Sequence, residues 1–250
     1  LRLYETVFTR IKGRLYGGLG LAIDQHSTIV DERLDLIAEP PFYTSHYVYS
    51  DLKAFSNEKY SANGVVLKIL FDNRDNAINA YKGIYLDAGL SYNPTWLGST
   101  QSSSQILLEL RNYQLVGKSD NRFAFWWIGQ FLTSGSLPYL ALPSIGRDTY
   151  NRSGRGYIQG RFRGENLAYG EAEFRFRIVK NGFLSGVLFL NGITVDNPLA
   201  DQSIFEKFAF GYGAGARIKM NKETRTNICI DIGLGQSGST GLYFGLQEAF

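Results

Sequence analysis

Few groupings in this chain could do covalent or metal chemistry. Gly233-Leu-Gly-Gln-Ser-Gly238 has the spacing of a dinucleotide-binding turn, in which backbone N–H groups at a helix N-terminus receive a pyrophosphate. The residues after it alternate as a strand, so a glycine-rich hairpin explains the spacing better. Asp72-Asn-Arg-Asp75-Asn76 is acidic, but it lacks calcium-loop spacing and reads as a polar turn. His26 and His46 share one long loop with no cysteine or paired acidic cluster, so no metal site is expected. Cys229, the one cysteine, cannot form an internal disulfide and reads as a small side chain inside a strand, with a reactive thiol as the alternative. Asn151-Arg-Ser is formally a glycosylation sequon, which carries little meaning outside a eukaryotic secretory context. No nucleophile stands beside a base. The expectation is a protein that is not an enzyme and needs no cofactor or metal.

The informative charges are those that alternate. In Gly170–Ile178, Glu171, Glu173, Arg175 and Arg177 fall on one face of a strand, and Ala172, Phe174, Phe176 and Ile178 fall on the other. The pattern recurs. Val65, Leu67, Ile69 and Phe71 oppose Lys68 and Asp72; Ile84, Leu86, Ala88 and Leu90 oppose Tyr85, Asp87 and Ser91. Ile106, Leu108 and Leu110 oppose Glu109 and Arg111, and Ile228, Ile230, Ile232 and Leu234 oppose Arg225, Asn227 and Asp231. Phe208, Phe210, Tyr212, Ala214 and Ala216 alternate with Gly211, Gly213, Gly215 and Arg217. Aromatics at 14%, with 28 Gly and 6 Pro in 250 residues, suit strands and tight turns. No run of 18 apolar residues suggests a transmembrane helix. Net charge is +3, with Lys and Arg scattered, so no nucleic-acid partner is expected.

Eleven strands are predicted, near residues 1–10, 13–25, 64–73, 81–94, 104–116, 121–134, 168–179, 183–195, 207–220, 224–235 and 239–250. Most reach the length of a tilted transmembrane strand. Short links at 11–12, 74–80, 117–120, 180–182 and 221–223 alternate with longer ones at 26–63, 95–103, 135–167 and 196–206, although the last of that set, between the final two strands, is short. Such sorting, with short periplasmic turns and long extracellular loops, belongs to outer-membrane barrels. The predicted fold is therefore all-β, a transmembrane antiparallel up-and-down β-barrel spanning 1–250. An odd strand count cannot close an antiparallel barrel, and an open edge in lipid would leave backbone groups unpaired. An odd number of strands, with an export signal, is expected to precede Leu1.

Three stretches carry a family resemblance: KILFDNRDNAINAYKGIY within Leu67–Tyr85, GRGYIQGRFRGENLAYGEAEFR at Gly154–Arg175, and the ending RIKMNKETRTNICIDIGLGQSGSTGLYFGLQEAF. They resemble the outer-membrane assembly and translocation barrels, the bacterial surface antigen superfamily of the BamA and TamA types. Within it they look most like the short Bacteroidetes barrels that lack POTRA domains. The resemblance implies a barrel of sixteen strands, of which this chain would be the C-terminal eleven. It also implies that residues 135–167 form a surface loop folding back into the lumen.

That loop in the family carries a Val-Arg-Gly-Tyr/Phe signature, matched here by Gly154-Arg155-Gly156-Tyr157 with Gly in place of Val. An arginine inside a barrel needs a carboxylate, and its planar fork suits bidentate pairing. Flanking glycines permit close approach to the wall. The resemblance points to Glu173 as the partner of Arg155. Asn191 stands where the family has an aspartate and would be a neutral hydrogen-bonding neighbour. By residue type alone Arg155 reads as an ordinary solvated loop arginine among Arg147, Arg152, Arg161 and Arg163; the motif reverses that preference. Phe250, with Phe244 and Leu246 in phase behind it, resembles the terminal aromatic read by the assembly machinery.

The resemblance implies a barrel of the bacterial outer membrane that assists insertion or translocation of proteins. Its partners would be outer-membrane lipid, lipopolysaccharide and client outer-membrane proteins. Two alternatives stand beside it. One is a structural barrel anchoring a larger envelope complex, with Phe42, Tyr43, Tyr47, Tyr49, Phe55 and Tyr60 of loop 26–63 either binding a partner or packing over the barrel mouth. The other is a transport pore, which would need the lumen free of the loop.

Overall fold

The computed structural model describes residues 1–117, 119–148 and 151–250. Period-2 alternation becomes eleven strands: β1 (Arg2–Lys12), β2 (Leu15–His26), β3 (Tyr60–Asp72), β4 (Gly83–Asn93), β5 (Ser103–Leu115), β6 (Arg122–Gly135), β7 (Asn166–Arg177), β8 (Leu184–Val195), β9 (Ala209–Lys219), β10 (Asn227–Gly235) and β11 (Thr240–Leu246). They form one sheet in chain order, each strand antiparallel to the next. The sheet is not closed. Among the described residues, β1 pairs only with β2, and β11 only with β10.

Its two faces invert the arrangement of a water-soluble protein. Leu19, Leu67, Leu90, Leu188, Ile232 and Leu242 project from one face and are 52–62% exposed. Arg111, Glu171, Glu173, Arg175, Arg217 and Asp231 project from the other and are at most 6% exposed. A leucine moved from water into an apolar medium gains roughly 1.5–3 kcal/mol, so the outer face has the composition of a lipid-contacting wall. The charged face is concave. At the short-turn end, Arg225 of the β9–β10 turn pairs with Asp75 of the β3–β4 turn at 2.7 Å, which brings distant strands together across the mouth.

Segment 136–165, between β6 and β7, crosses the concave face. Ser153–Tyr157 lie buried against β9–β11, and Arg2 of β1 donates to the Leu140 carbonyl at 2.8 Å on the other side. Residues 149–150 of the predicted 135–167 loop lie outside the described residues. The β2–β3 connection contains a helix, α1 (Ser45–Leu52), capped by the Thr44 hydroxyl on the Tyr47 N–H. Tyr49 of α1 packs with Leu137 and Leu142, and its hydroxyl donates to Glu165 at 2.9 Å. Tyr49, Phe55 and Tyr60 are thus used internally, whereas Phe42 and Tyr43 stay exposed. His26 ends β2 and stacks on Tyr60, and His46 lies in α1; they do not share one irregular loop.

The last strand is a correction. Period-2 alternation predicts a strand to residue 250, with Phe244, Leu246 and Phe250 on one face. β11 stops at Leu246. Gln247 has φ +79° and turns the chain inward. Glu248 accepts from Arg217 Nε and Asn227 Nδ2, both at 2.7 Å. Phe244 and Leu246 face outward at 66% and 60% exposure, while Phe250 is 4% exposed inside. The buried carboxylate of Glu248, attached to arginine on the wall, outweighs continuation of the strand.

Candidate functional site

The site starts from the rows that the register makes across β7–β10. One row runs Glu171, Asn191, Gly211 and Gly235; the next runs Glu173, Phe189, Gly213 and Gly233; the third runs Arg175, Val187, Gly215 and Asp231. Large or charged side chains stand on β7 and β8, and glycines occupy β9. A Cβ at Gly211 would lie 2.7 Å from the Arg155 carbonyl oxygen; one at Gly213 would strike the Phe189 ring, and one at Gly215 the Asp231 carboxylate. The inward glycines of β9 therefore clear a trough between β8 and β10.

The 136–165 segment lies in that trough. Gly154 and Gly156 take φ +81° and +104°, a region that a side chain rarely enters. Gly156 N–H donates to the Tyr243 hydroxyl at 2.8 Å, and the Ser239 hydroxyl donates to the Gly156 carbonyl at 2.7 Å. The Tyr157 hydroxyl donates to the Phe210 carbonyl at 2.6 Å and accepts from Gln236 N–H at 2.9 Å. A Cβ at Gly233 would sit 2.5 Å from the Gly156 nitrogen, and one at Gly235 2.6 Å from the Tyr157 ring. Gly233 and Gly235 of the Gly233–Gly238 pattern are thus the docking surface for the Gly154–Tyr157 turn, and Gly238 lies outside it.

The turn aims Arg155 at the rows. Arg155 is fully buried. Its Nη2 contacts Glu171 Oε1 at 2.5 Å and also Glu173, and its Nη1 contacts Asp231 Oδ2 at 2.8 Å. The guanidinium lies 3.7 Å from the centre of the Phe189 ring, a cation–π contact. Asn191 Nδ2 donates to the Arg155 carbonyl at 2.9 Å, so it holds the backbone rather than the guanidinium. The acids are shared onward: Arg175 reaches Glu173 at 2.5 Å, and Arg217 reaches Asp231 at 2.5 Å. The arrangement acts as a clamp. Each acid that receives Arg155 is itself pinned to the wall by the sheet, so the loop is joined to three strands, β7, β8 and β10, through one guanidinium.

Glu173, Asn191 and the Gly154–Tyr157 turn meet at this point. Phe250 lies deeper, stacked on Trp126 at 5.1 Å between ring centres and packed near Tyr113 at 6.2 Å. Sequence reasoning did not name Glu171, Asp231 or Tyr243 as partners. A signal existed for the acids, since both lie on the polar faces of their strands; their closeness to Arg155 depends on the trough, which alternation does not reveal. Outside the clamp, Asp72 pairs with Arg74 at 2.8 Å, and Asp75 accepts from Tyr81 and Lys82 N–H groups at 2.8 and 3.2 Å, which makes both acids turn-forming groups.

No family model matches this chain, and no curated protein matches it. Among solved structures, the chain is similar to the crystal structure of BamA from Haemophilus ducreyi lacking POTRA domains 1–3, with a TM-score of 0.68 and 13% identity. The similarity covers 98% of this chain and 52% of that one, so the chain spans about half the length of the structure it matches. It has the fold of the BamA barrel, carried by eleven antiparallel up-and-down strands.

Proposed function

We propose that this chain is the C-terminal part of a sixteen-stranded barrel of the bacterial outer membrane. In this reading it belongs with the assembly and translocation superfamily, nearest the short Bacteroidetes members without POTRA domains, and assists insertion or translocation of membrane proteins. Two free sheet edges support further strands, because an unpaired edge in lipid is costly. The apolar outer face supports a lipid surroundings that includes lipopolysaccharide. The observation that carries the reading is the clamp: a loop folded onto the polar face and fixed there by Arg155 on Glu171, Glu173 and Asp231. A fixed loop braces the wall while the seam between the first and last strands of the complete barrel opens for a client strand to add by main-chain hydrogen bonds. The protein performs no covalent chemistry in this reading.

The test is insertion of an unfolded outer-membrane protein into proteoliposomes that hold the complete protein. Insertion at least several times faster than into empty liposomes is expected, with loss of that advantage in Arg155→Ala. An equal rate with and without the protein would overturn the reading.

A second reading, a barrel anchoring an envelope complex, is favoured by Ile37, Phe42 and Tyr43, which project from the β2–β3 connection at 94%, 55% and 54% exposure. A stable partner that co-purifies from native membranes and is lost on Phe42→Ser would support it. A transport pore ranks below both, since the loop occupies the polar face; a large, steady single-channel conductance would restore it.

A further inference from the structure

At the short-turn end of the concave face, below the clamp, lies a cavity of about 250 Å³. Its wall is strongly basic, and its cations differ in how they are matched. Arg177 pairs with Asp120, Arg225 with Asp75, Arg175 with Glu173, and Arg217 with both Asp231 and Glu248. Arg122, Lys219 and Lys222 also line the cavity, and among the described residues none of them has a carboxylate within ion-pair distance. Asp120 and Glu248 are the acids on this wall, and both are already engaged.

Arg122 is the unusual member. It is 6% exposed, with its Nη groups on neutral oxygens of Asn79 and the Asp120 carbonyl. Its Nε has no hydrogen-bond partner among the described residues, and neither has Nη1 of Arg175, a residue 2% exposed. Buried guanidinium N–H groups are normally satisfied, because each lost hydrogen bond is costly. Arg122 and Arg225 also flank the Tyr81 ring at 4.2 and 4.3 Å from its centre, which holds two like charges side by side.

We propose that this cavity is an oxyanion site that takes a phosphate group, either the free ion or the headgroup of a phospholipid, entering from the short-turn end. Donors converge from β6 (Arg122), β7 (Arg175) and the end of β9 with its turn (Lys219, Lys222). A tetrahedral oxyanion accepts from several directions at once and carries more charge than one carboxylate. The volume is several times the roughly 30 Å³ of one water, enough for phosphate with a short attached group and too small for a folded segment. The site is independent of the assembly reading, since it uses neither the Arg155 turn nor the sheet edge.

Calorimetric titration of the complete protein in non-ionic detergent at low salt tests it. The probes are inorganic phosphate and glycerophosphoglycerol, the soluble headgroup of phosphatidylglycerol. Saturable binding of at least one is expected, weakened about tenfold by Arg122→Gln and several-fold by Lys219→Gln with Lys222→Gln. Tighter binding of glycerophosphoglycerol assigns the site to headgroups, and tighter binding of phosphate to the free ion. The lysine pair stands on the rim, so it reports even if Arg122→Gln fails to fold. No saturable heat with either probe, or affinity unchanged in the lysine variant, would overturn the proposal.

Discussion

Two walls of the same sheet carry charge on the same face in different states. On β3–β5, Lys68 and Asp87 pair at 2.7 Å with side chains 24% and 12% exposed, and Glu109 beside Arg111 is 22% exposed. On β7–β10, the side chains of Glu171, Glu173 and Asp231 are at most 1% exposed. The Ser153–Tyr157 turn of segment 136–165 packs directly on the second wall, whereas Arg147 and Asp148 of the same segment leave a cavity of about 170 Å³ above Lys68, Asp87 and Glu109 on the first. Coverage changes what a charge is worth. A solvated pair contributes about 0–1 kcal/mol. Removing one partner from a buried network costs about 3–5 kcal/mol, because the remaining charges stay desolvated without compensation.

The largest effect is therefore expected from Arg155→Ala, which leaves buried Glu171 without a cation and takes one of two arginines from Glu173 and from Asp231. It should lower stability by about 3–5 kcal/mol and make the compact, heat-modifiable form collapse at a clearly lower temperature on a gel. Lys68→Met, on the first wall, should cost clearly less, because Asp87 faces a cavity in which water can replace the lost partner. Equal shifts in the two variants would erase the distinction between the walls. Next comes Gly156→Ala. It places a side chain at φ +104° with its Cβ 2.8 Å from the Leu234 carbonyl oxygen, and strain of this kind costs about 1–3 kcal/mol. Faster proteolytic cleavage within 136–165, with the strands intact, is the expected readout; unchanged cleavage would mean the turn has another way to dock.

The strands were legible because alternation is a local property. Glu171, Glu173 and Arg175 against Phe174 and Phe176 already separate a polar wall from an apolar one, and all eleven strands lie within a few residues of their predicted ranges. The end of the chain was not legible. Phe244, Leu246 and Phe250 keep period 2 in sequence, yet Gln247 breaks it, because Glu248 is drawn to Arg217 and Asn227 across the wall. The clamp was half legible: the Gly154–Tyr157 motif and Glu173 could be singled out, but Asp231 is 76 residues from Arg155. The inward glycines of β9 were visible as an alternation without a purpose; only the register places them under the loop.

Phe250→Leu sharpens the comparison from the covered side. The substitution roughly keeps the volume and removes the ring stacked on Trp126, which should cost about 0.5–1.5 kcal/mol. The same change at outward Phe244, 66% exposed, should leave the gel transition in place. A larger shift at Phe244 than at Phe250 would argue that the chain end is not packed inside.

The smallest expected effect lies at the mouth, where the two walls meet through Asp75 and Arg225. Burial pushes the Asp75 carboxyl up, but the Arg225 guanidinium and the N–H groups of Tyr81 and Lys82 outweigh it and hold the carboxyl below its ordinary range. A group whose pKa is depressed on folding adds stability that is fully present above the unfolded value, about 3.9 for aspartate, and is lost as pH falls through the folded value. Asp75→Asn should thus weaken the barrel slightly near neutrality, within about 1 kcal/mol because the pair is partly solvated. It should also flatten the part of the acid destabilisation that begins near pH 4. Gel transitions measured from pH 7 down to pH 3 check both effects. A variant with the same acid slope as the parent would place the coupling between the walls elsewhere than in this turn-to-turn pair.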